Sequence, residues 1–249
     1  MLYLLIYPIL LISLLLPLPL WAAITVDATS ASDSSNNVTT HNHTIAADAN
    51  AVFICMGQRD LDFVIQPAVS VTVGGVSATF ITGAHAGANS TRADLWYLPS
   101  PPTGTQSIVA TADSSVNRLS TAVISLKGVA SSSILNTPKT NAADSGTDID
   151  VDALASAVGE LGLLCGTVRT STPTVSPDAT SPVSTEQIEH ASVQTFAQIV
   201  FLYTEAGAAS SINMRVDSDT SINWAAAAVS IRAAAAATTV RPRGMVQFP

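Results

Sequence analysis

An internal repeat of strand-like segments constrains the fold of this chain more than any other feature. Residues 94–97 (DLWY) precede a loop rich in Gly and Pro, and residues 200–203 (VFLY) precede a loop rich in Gly and Ala, 106 residues later. Three further pairs follow at offsets of 104 or 105 residues: Ser107-Ile108 with Ser211-Ile212, Asp113-Ser114 with Asp217-Ser218, and Ile124-Ser125-Leu126-Lys127 with Val229-Ser230-Ile231-Arg232. This period is too long for a solenoid repeat, so it predicts two similar halves.

Alternation of apolar and polar residues predicts strands in both halves. Residues 69–73 alternate, Gly74-Gly75 supplies a turn, and residues 76–81 alternate again, which is the pattern of a β-hairpin. The segments 51–56 and 160–166 are predominantly apolar, as central strands of a two-sheet core are. We therefore expect an all-β fold, an antiparallel two-sheet sandwich.

Two halves can form one sandwich or two smaller ones, and the polar link at 131–145, which is of ordinary length, favours one. The expected domain covers residues 23–240, with halves at about 45–130 and 150–235 and a C-terminal tail at 241–249.

The N-terminal residues 2–20 are apolar and end before Trp21-Ala22-Ala23. An apolar run followed by small residues predicts a secretory signal peptide over residues 1–22, although no Lys or Arg precedes it. The alternative is an uncleaved membrane anchor, which three prolines disfavour. Both interpretations place the rest of the chain outside the cytoplasm, secreted or at the extracellular surface, and contact with a membrane would come only through this segment.

Charge is scarce. The net charge is −8, the chain has only 10 Lys and Arg residues, and charged residues make up 11% of it. Nucleic acids are poor partners because their binding needs clustered basic residues. With 29 Ser and 27 Thr residues, hydroxyl groups must keep much of the surface wet, which suits a strand-rich exterior.

Three segments together resemble a known family: residues 71–79 (VTVGGVSAT), residues 94–98 before the proline-rich loop at 101–105, and residues 224–229 after a tryptophan. They are similar to secreted bacterial and phage jelly-roll modules of concanavalin-A-like shape, over nearly all of residues 24–237. The resemblance implies a jelly-roll sandwich in a surface, fibre or extracellular-polymer-associated protein. Such modules share no single activity, so the resemblance implies no reaction.

No catalytic set is expected. Glycan hydrolysis needs two carboxylates flanking the scissile bond, and the four glutamates, Glu160, Glu186, Glu189 and Glu205, form no such spaced run. The chain also lacks a Gly-x-Ser-x-Gly nucleophile elbow. Sugar-binding platforms are typically aromatic, and Tyr97, Tyr203 and Trp224 are the rings that remain as candidates for a ligand-binding surface.

The densest acidic cluster contains Asp148, Asp150 and Asp152. In an extended strand these three share one face and could bind calcium, the only cofactor that the sequence suggests. The alternative is a solvated acidic edge that discourages aggregation. His41 and His43 could also face the same side of a strand, but two ligands do not make a metal site.

Cys55 and Cys165 are the only cysteines, and they occupy corresponding positions of the two repeats. An oxidising compartment permits a disulfide between them. Both also lie in apolar strands, where a free thiol behaves as a small hydrophobic group, so both interpretations remain.

These observations predict a non-catalytic extracellular structural or adhesive module, such as a surface protein or a subunit of a fibre, filament or coat. The alternative is a carbohydrate-binding or carbohydrate-processing domain. The expected partner of this protein is a second copy of the chain, or a cell surface or glycan. For self-association we single out the apolar tail residues Met245, Val246 and Phe248, which could instead cap their own domain.

Overall fold

A computed structural model describes residues 23–60, 70–87, 91–113, 116–132, 135–169, 175–177, 185–191, 198–208 and 210–235. Fifteen strands lie in these ranges: β1 (Thr25–Ser34), β2 (Val38–Ile45), β3 (Ala51–Asp60), β4 (Ser70–Val73), β5 (Val76–Ser77), β6 (Thr79–Ala86), β7 (Thr91–Pro99), β8 (Gly104–Thr111), β9 (Val116–Lys127), β10 (Lys139–Ala155), β11 (Leu161–Arg169), β12 (Val175–Pro177), β13 (Thr185–Ala191), β14 (Gln198–Ala206) and β15 (Ser211–Ile231). The expected all-β antiparallel architecture is confirmed. Within these residues no helix is long and apolar enough to cross a membrane.

The strands form three sheets. The first large sheet has the order β1-β9-β3-β7-β6, and the second has the order β10-β15-β11-β14-β13, with β12 also beside β15. A smaller sheet has the order β2-β8-β4-β5. Every pairing between these strands is antiparallel.

The two large sheets have the same strand order when their strands are matched along the chain. The long strand β10 pairs with β15 along most of its length. Its first part corresponds to β1, which pairs with β9, and its last part corresponds to β2, which pairs with β8. Register irregularities interrupt β10 at residues 143–148, whereas residues 35–37 separate β1 from β2. A bulge increases the local twist of a strand, which lets one long strand serve two layers.

Strand register corrects one part of the sequence repeat. Cys55 pairs with Leu95 and Cys165 pairs with Leu202, so the residue equivalent to Tyr97 is Thr204. Matching Tyr97 with Tyr203 was therefore wrong by one position. A slip of one residue moves a side chain to the opposite face of the sheet, so the correction changes which residues share an environment.

The hairpin predicted at residues 69–81 forms only in part. Val73 pairs with Val76 around the turn Gly74-Gly75, where both glycines have a positive φ. The chain then leaves this sheet, because β6 pairs with β7 in the first large sheet. The single strand expected over residues 76–81 is thus divided between two layers.

The core has three layers of apolar side chains. A central cluster lies between the two large sheets and contains Phe53, Cys55, Cys165 and Leu202 among others. A second cluster lies between the first large sheet and the small sheet. The third belongs to the second half and is built from β10, β11 and β15. Because inner strands of both large sheets carry buried side chains on both faces, the fold has more layers than the two that we expected.

Candidate functional site

A covalent link joins the two large sheets at the centre of the molecule. Cys55 on β3 and Cys165 on β11 form a disulfide, with their Cα atoms 5.3 Å apart. Both residues are completely buried in the central cluster. Of the two interpretations of these cysteines, the structure shows the bonded one. The bond joins positions 110 residues apart and holds the two large sheets face to face.

Both ends of the described chain meet at Gly128. The amide of Ala234 donates a 2.7 Å hydrogen bond to the Gly128 carbonyl, and a Cβ on Gly128 would lie 2.6 Å from the carbonyl oxygen of Ala23. Gly128 also has a φ of 75°, which favours glycine. We call this end of the molecule the base. The opposite end, where β3 reaches Arg59, is the tip. Ala51 at the base and Arg59 at the tip are eight residues apart along β3, which corresponds to about 26 Å.

Near the base, Asp27 holds β1 to the neighbouring strands. It accepts 2.9 Å hydrogen bonds from the Ala46 amide and the Ser125 hydroxyl, and the Lys127 ammonium lies 3.2 Å away. Burial alone would raise the pKa of Asp27, but these contacts from Ala46, Ser125 and Lys127 hold it below its ordinary value.

The second half has a corresponding cluster around Glu160. One carboxylate oxygen accepts hydrogen bonds from the Ser230 hydroxyl at 2.8 Å, the Asn136 amide at 2.6 Å and the Ala157 backbone at 2.9 Å. Arg232 lies 3.4 Å from the other oxygen. Ser125 and Lys127 at the end of the first repeat, and Ser230 and Arg232 at the end of the second, therefore each bind a carboxylate. The repeat pointed to these serine and basic residues, although sequence reasoning did not identify Asp27 and Glu160 as their partners.

We expect Glu160→Gln to lower the free energy of unfolding by about 1 to 3 kcal/mol, because an amide cannot accept from all of these donors and would leave buried groups unsatisfied. The Glu160 side chain is only 10% exposed. Asp48 is the matched control, since its side chain is 71% exposed and contacts Lys127. Asp48→Asn should change stability little. Equal effects of the two substitutions in urea unfolding would contradict this assignment.

Two of the three aromatic candidates are buried, so they were wrong as surface rings. Tyr97 is 8% exposed, and its ring centroid lies 4.9 Å from that of Phe53 in the central cluster. Burial raises the pKa of Tyr97 to about 12. Trp224 is 3% exposed and packs in the third cluster. Sheets on both sides cover these strands, which sequence alternation alone does not reveal. The side chain of Tyr203 lies outside the described residues.

The three aspartates of β10 share one face, as predicted, with Ile149 and Val151 buried between them. Burial and the neighbouring Asp152 raise the pKa of Asp150. A cation of the protein already contacts this row, since Arg215 lies 3.0 Å from Asp152. Among the described residues, no group of three His, Cys, Asp or Glu side chains could hold a metal ion. Calcium binding at Asp148, Asp150 and Asp152 stays a prediction.

His41 and His43 both turn toward Ser30. The Ser30 hydroxyl oxygen lies 3.0 Å from His41 Nε2 and 2.8 Å from His43 Nδ1. One hydroxyl can donate to only one of the two rings, so the other ring must donate to it. His43 is buried, and this burial lowers its pKa, although Asp27 opposes the shift.

This histidine should make stability depend on pH. Because the pKa of His43 is lower in the folded protein than its ordinary 6.5, the unfolded chain binds more protons below that pH. The free energy of unfolding should therefore fall as the pH drops below 6.5, by at most about 1.4 kcal/mol per pH unit from this group. Urea unfolding of wild type and His43→Gln between pH 7.5 and about 5 measures the effect. An unchanged pH profile in the variant would refute it.

Sequence reasoning also missed a buried carboxylate, Asp94 on β7. It accepts hydrogen bonds from Gln58 Nε2 at 2.5 Å and from Arg92 Nε at 2.7 Å. Asp94 alternates with Leu95 and lies on the side of the sheet away from the second half. The tail residues Met245, Val246 and Phe248 fall outside the described residues, and their role in assembly stays a prediction.

The fold and its central link define an all-β protein in which two large antiparallel sheets are joined face to face by a buried disulfide. No family model, curated protein or solved structure matches the chain.

Proposed function

We propose that this protein is a non-catalytic extracellular structural or adhesive module, such as a surface protein or a subunit of a fibre, filament or coat. The observation that carries the proposal is the disulfide-linked interface between the two halves. Shearing or separating the halves would require breaking a covalent bond inside an apolar core. Such resistance suits a protein that must keep its shape outside the cell.

The compartment is part of the same proposal. Disulfides persist in oxidising surroundings, and the apolar segment at residues 2–20 is the predicted export signal or anchor. That segment leads to Ala23 at the base, and the chain leaves the described fold at Ala235 close by. An attachment through either terminal segment would leave the tip free to face outward. The resemblance to jelly-roll surface and fibre modules agrees with this arrangement and remains a proposal.

The alternative of carbohydrate binding loses its main support. Tyr97 and Trp224 were two of the three rings offered as a sugar platform, and both are buried. A sugar cannot stack on a ring that lies inside the core, so we do not carry this function forward.

The proposal is tested by expressing the full chain with its own N-terminal segment in a secreting host. We expect protein outside the cytoplasm, oxidised at both cysteines by mass spectrometry, and self-associating or surface-attached by light scattering and electron microscopy. A monodisperse monomer that attaches to nothing and cleaves a glycan or another substrate would overturn the proposal.

Truncation of the chain after Val240 tests the tail. If Met245, Val246 and Phe248 add a strand to a neighbouring copy, the truncated chain should lose its higher-order species in light scattering while keeping its melting temperature. An unchanged oligomeric state with a lower melting temperature would instead show that the tail caps its own domain.

A further inference from the structure

Strand β2 lies at an edge of the small sheet and carries two histidines on its inner face. Among the described strands it pairs with β8 alone. Thr39, His41, His43 and Ile45 alternate along the inner face, and all of them except His41 are buried. An edge strand has backbone hydrogen bonds on one side only. Its attachment to the fold therefore depends on side-chain contacts more than that of a central strand does.

A single hydroxyl connects this face of β2 to the first large sheet. The Oγ atom of Ser30 on β1 lies 3.0 Å from His41 Nε2 and 2.8 Å from His43 Nδ1. The three groups fit together when one ring nitrogen donates an N–H to the oxygen and the other ring nitrogen accepts the hydroxyl proton. At least one of the two rings must therefore be neutral.

Protonation of both rings would break this arrangement. An imidazolium carries an N–H on both of its nitrogens, so His41 and His43 would each point a donor at the Ser30 oxygen. The hydroxyl proton of Ser30 would then lose its ring acceptor. Two positive charges would also meet at one oxygen, and burial makes their repulsion stronger than it is in water.

His43 is the more buried of the two rings, which makes it costly to charge. The residue is 1% exposed, and its Nε2 atom is buried without a hydrogen-bond partner among the described residues. A proton at Nε2 would place a charged donor where none of these residues accepts it. Burial lowers the pKa of His43 accordingly, although Asp27 opposes the shift.

The neighbouring strands offset this cost only in part. β2 packs against β1, β8 and β9. The charged residues of these three strands are Asp27, Asp33, Arg118 and Lys127. The carboxylate of Asp27 already accepts hydrogen bonds from Ala46 and Ser125 and lies 3.2 Å from the Lys127 ammonium. Asp33 is three residues from Ser30, so alternation places it on the opposite face of β1. The two basic residues would repel an imidazolium.

We propose that β2 is an acid-released strand: protonation of His41 and His43 ends the link through Ser30, and β2 separates from β1 and β8 while the two large sheets stay folded. The central cluster that joins those sheets contains no histidine among the described residues, and the Cys55–Cys165 disulfide holds it together. Release uncovers the buried side chain of Ile45 and leaves β8 with an unpaired edge. Such a local opening precedes global unfolding, and it does not depend on the proposed structural function.

Hydrogen exchange followed by mass spectrometry tests the release, with each rate divided by the intrinsic exchange rate at the same pH. In wild type, protection of the β2 amides should fall about tenfold between pH 7.5 and about 5.5, one unit below the ordinary pKa of histidine, whereas β3 should keep its protection. His43→Gln leaves an uncharged partner for Ser30 and should show no such fall. His85→Gln, which removes an exposed histidine from β6, should behave as wild type.

A fall of equal size in β2 and β3 would mean that acid weakens the whole fold, and it would overturn the proposal. An undiminished fall in His43→Gln would do the same. If this variant does not fold, NMR titration of the wild-type histidine rings is the second measurement. The His43 ring should gain its proton over the pH range in which β2 loses protection, and protonation of both rings while β2 stays protected would refute the release. None of these measurements involves export or assembly, so this proposal and the proposed function can fail separately.

Discussion

Replacing both Cys55 and Cys165 by alanine should lower the free energy of unfolding by about 4 kcal/mol. The bond closes a loop of 110 residues, and a link of that length removes much conformational entropy from the unfolded chain. The effect should appear as a lower urea midpoint in the double variant. The midpoint is best followed by one probe in each large sheet, because the variant could lose the contact between the sheets before either sheet unfolds.

Reduction of the wild-type protein provides the matched control. Both sulfur atoms are buried, so a reductant should act slowly on the folded protein and rapidly in urea. Reduced wild type and the double alanine variant should then unfold at similar urea concentrations. A double variant as stable as oxidised wild type would show that the bond contributes nothing to holding the halves together.

Truncation of the repeated core residues should be almost as damaging. Ile108 and Ile212 are buried, as are Leu126 and Ile231, and each pair comes from the sequence repeat. Replacing any one of the four by alanine should cost about 2 to 5 kcal/mol, because the substitution removes buried methyl groups and leaves a cavity. The two members of a pair should give similar values if the halves are equivalent.

Val158→Ala is the control for these substitutions, since Val158 is 70% exposed and its truncation should cost little. Urea unfolding of all five variants makes the comparison. If Ile231→Ala costs no more than Val158→Ala, the second half lacks the tight packing that its burial implies.

Local pattern was enough to predict some strands, but it did not predict β1, and residues 139–145, which it assigned to a polar link, belong to β10. Alternation in residues 69–73 and the Gly74-Gly75 turn led to β4 and its pairing with β5, because period two and positive φ are properties of short segments. The repeat likewise placed Ser125 and Ser230 in equivalent positions, and both bind a carboxylate. The repeat could not predict which carboxylates these serines bind, because Asp27 and Glu160 come from non-equivalent parts of the chain.

Alanines 225–228 show where local reasoning ends. Alanine favours helix intrinsically, yet all four residues are buried in β15. Ala225 and Ala227 pack in the central cluster, whereas Ala226 and Ala228 pack in the third. Small side chains let both neighbouring layers approach the strand closely, and this tertiary gain exceeds the weak preference for helix.

The sequence by itself determined the strand content and the repeated segments, because these depend on neighbours along the chain. Only the tertiary structure decided which faces are covered. Tyr97 and Trp224 became core residues because sheets close over both sides of their strands. The disulfide between Cys55 and Cys165 arises from the same face-to-face packing. No local pattern encodes how one sheet lies on another, since that arrangement is set by side chains more than 100 residues apart.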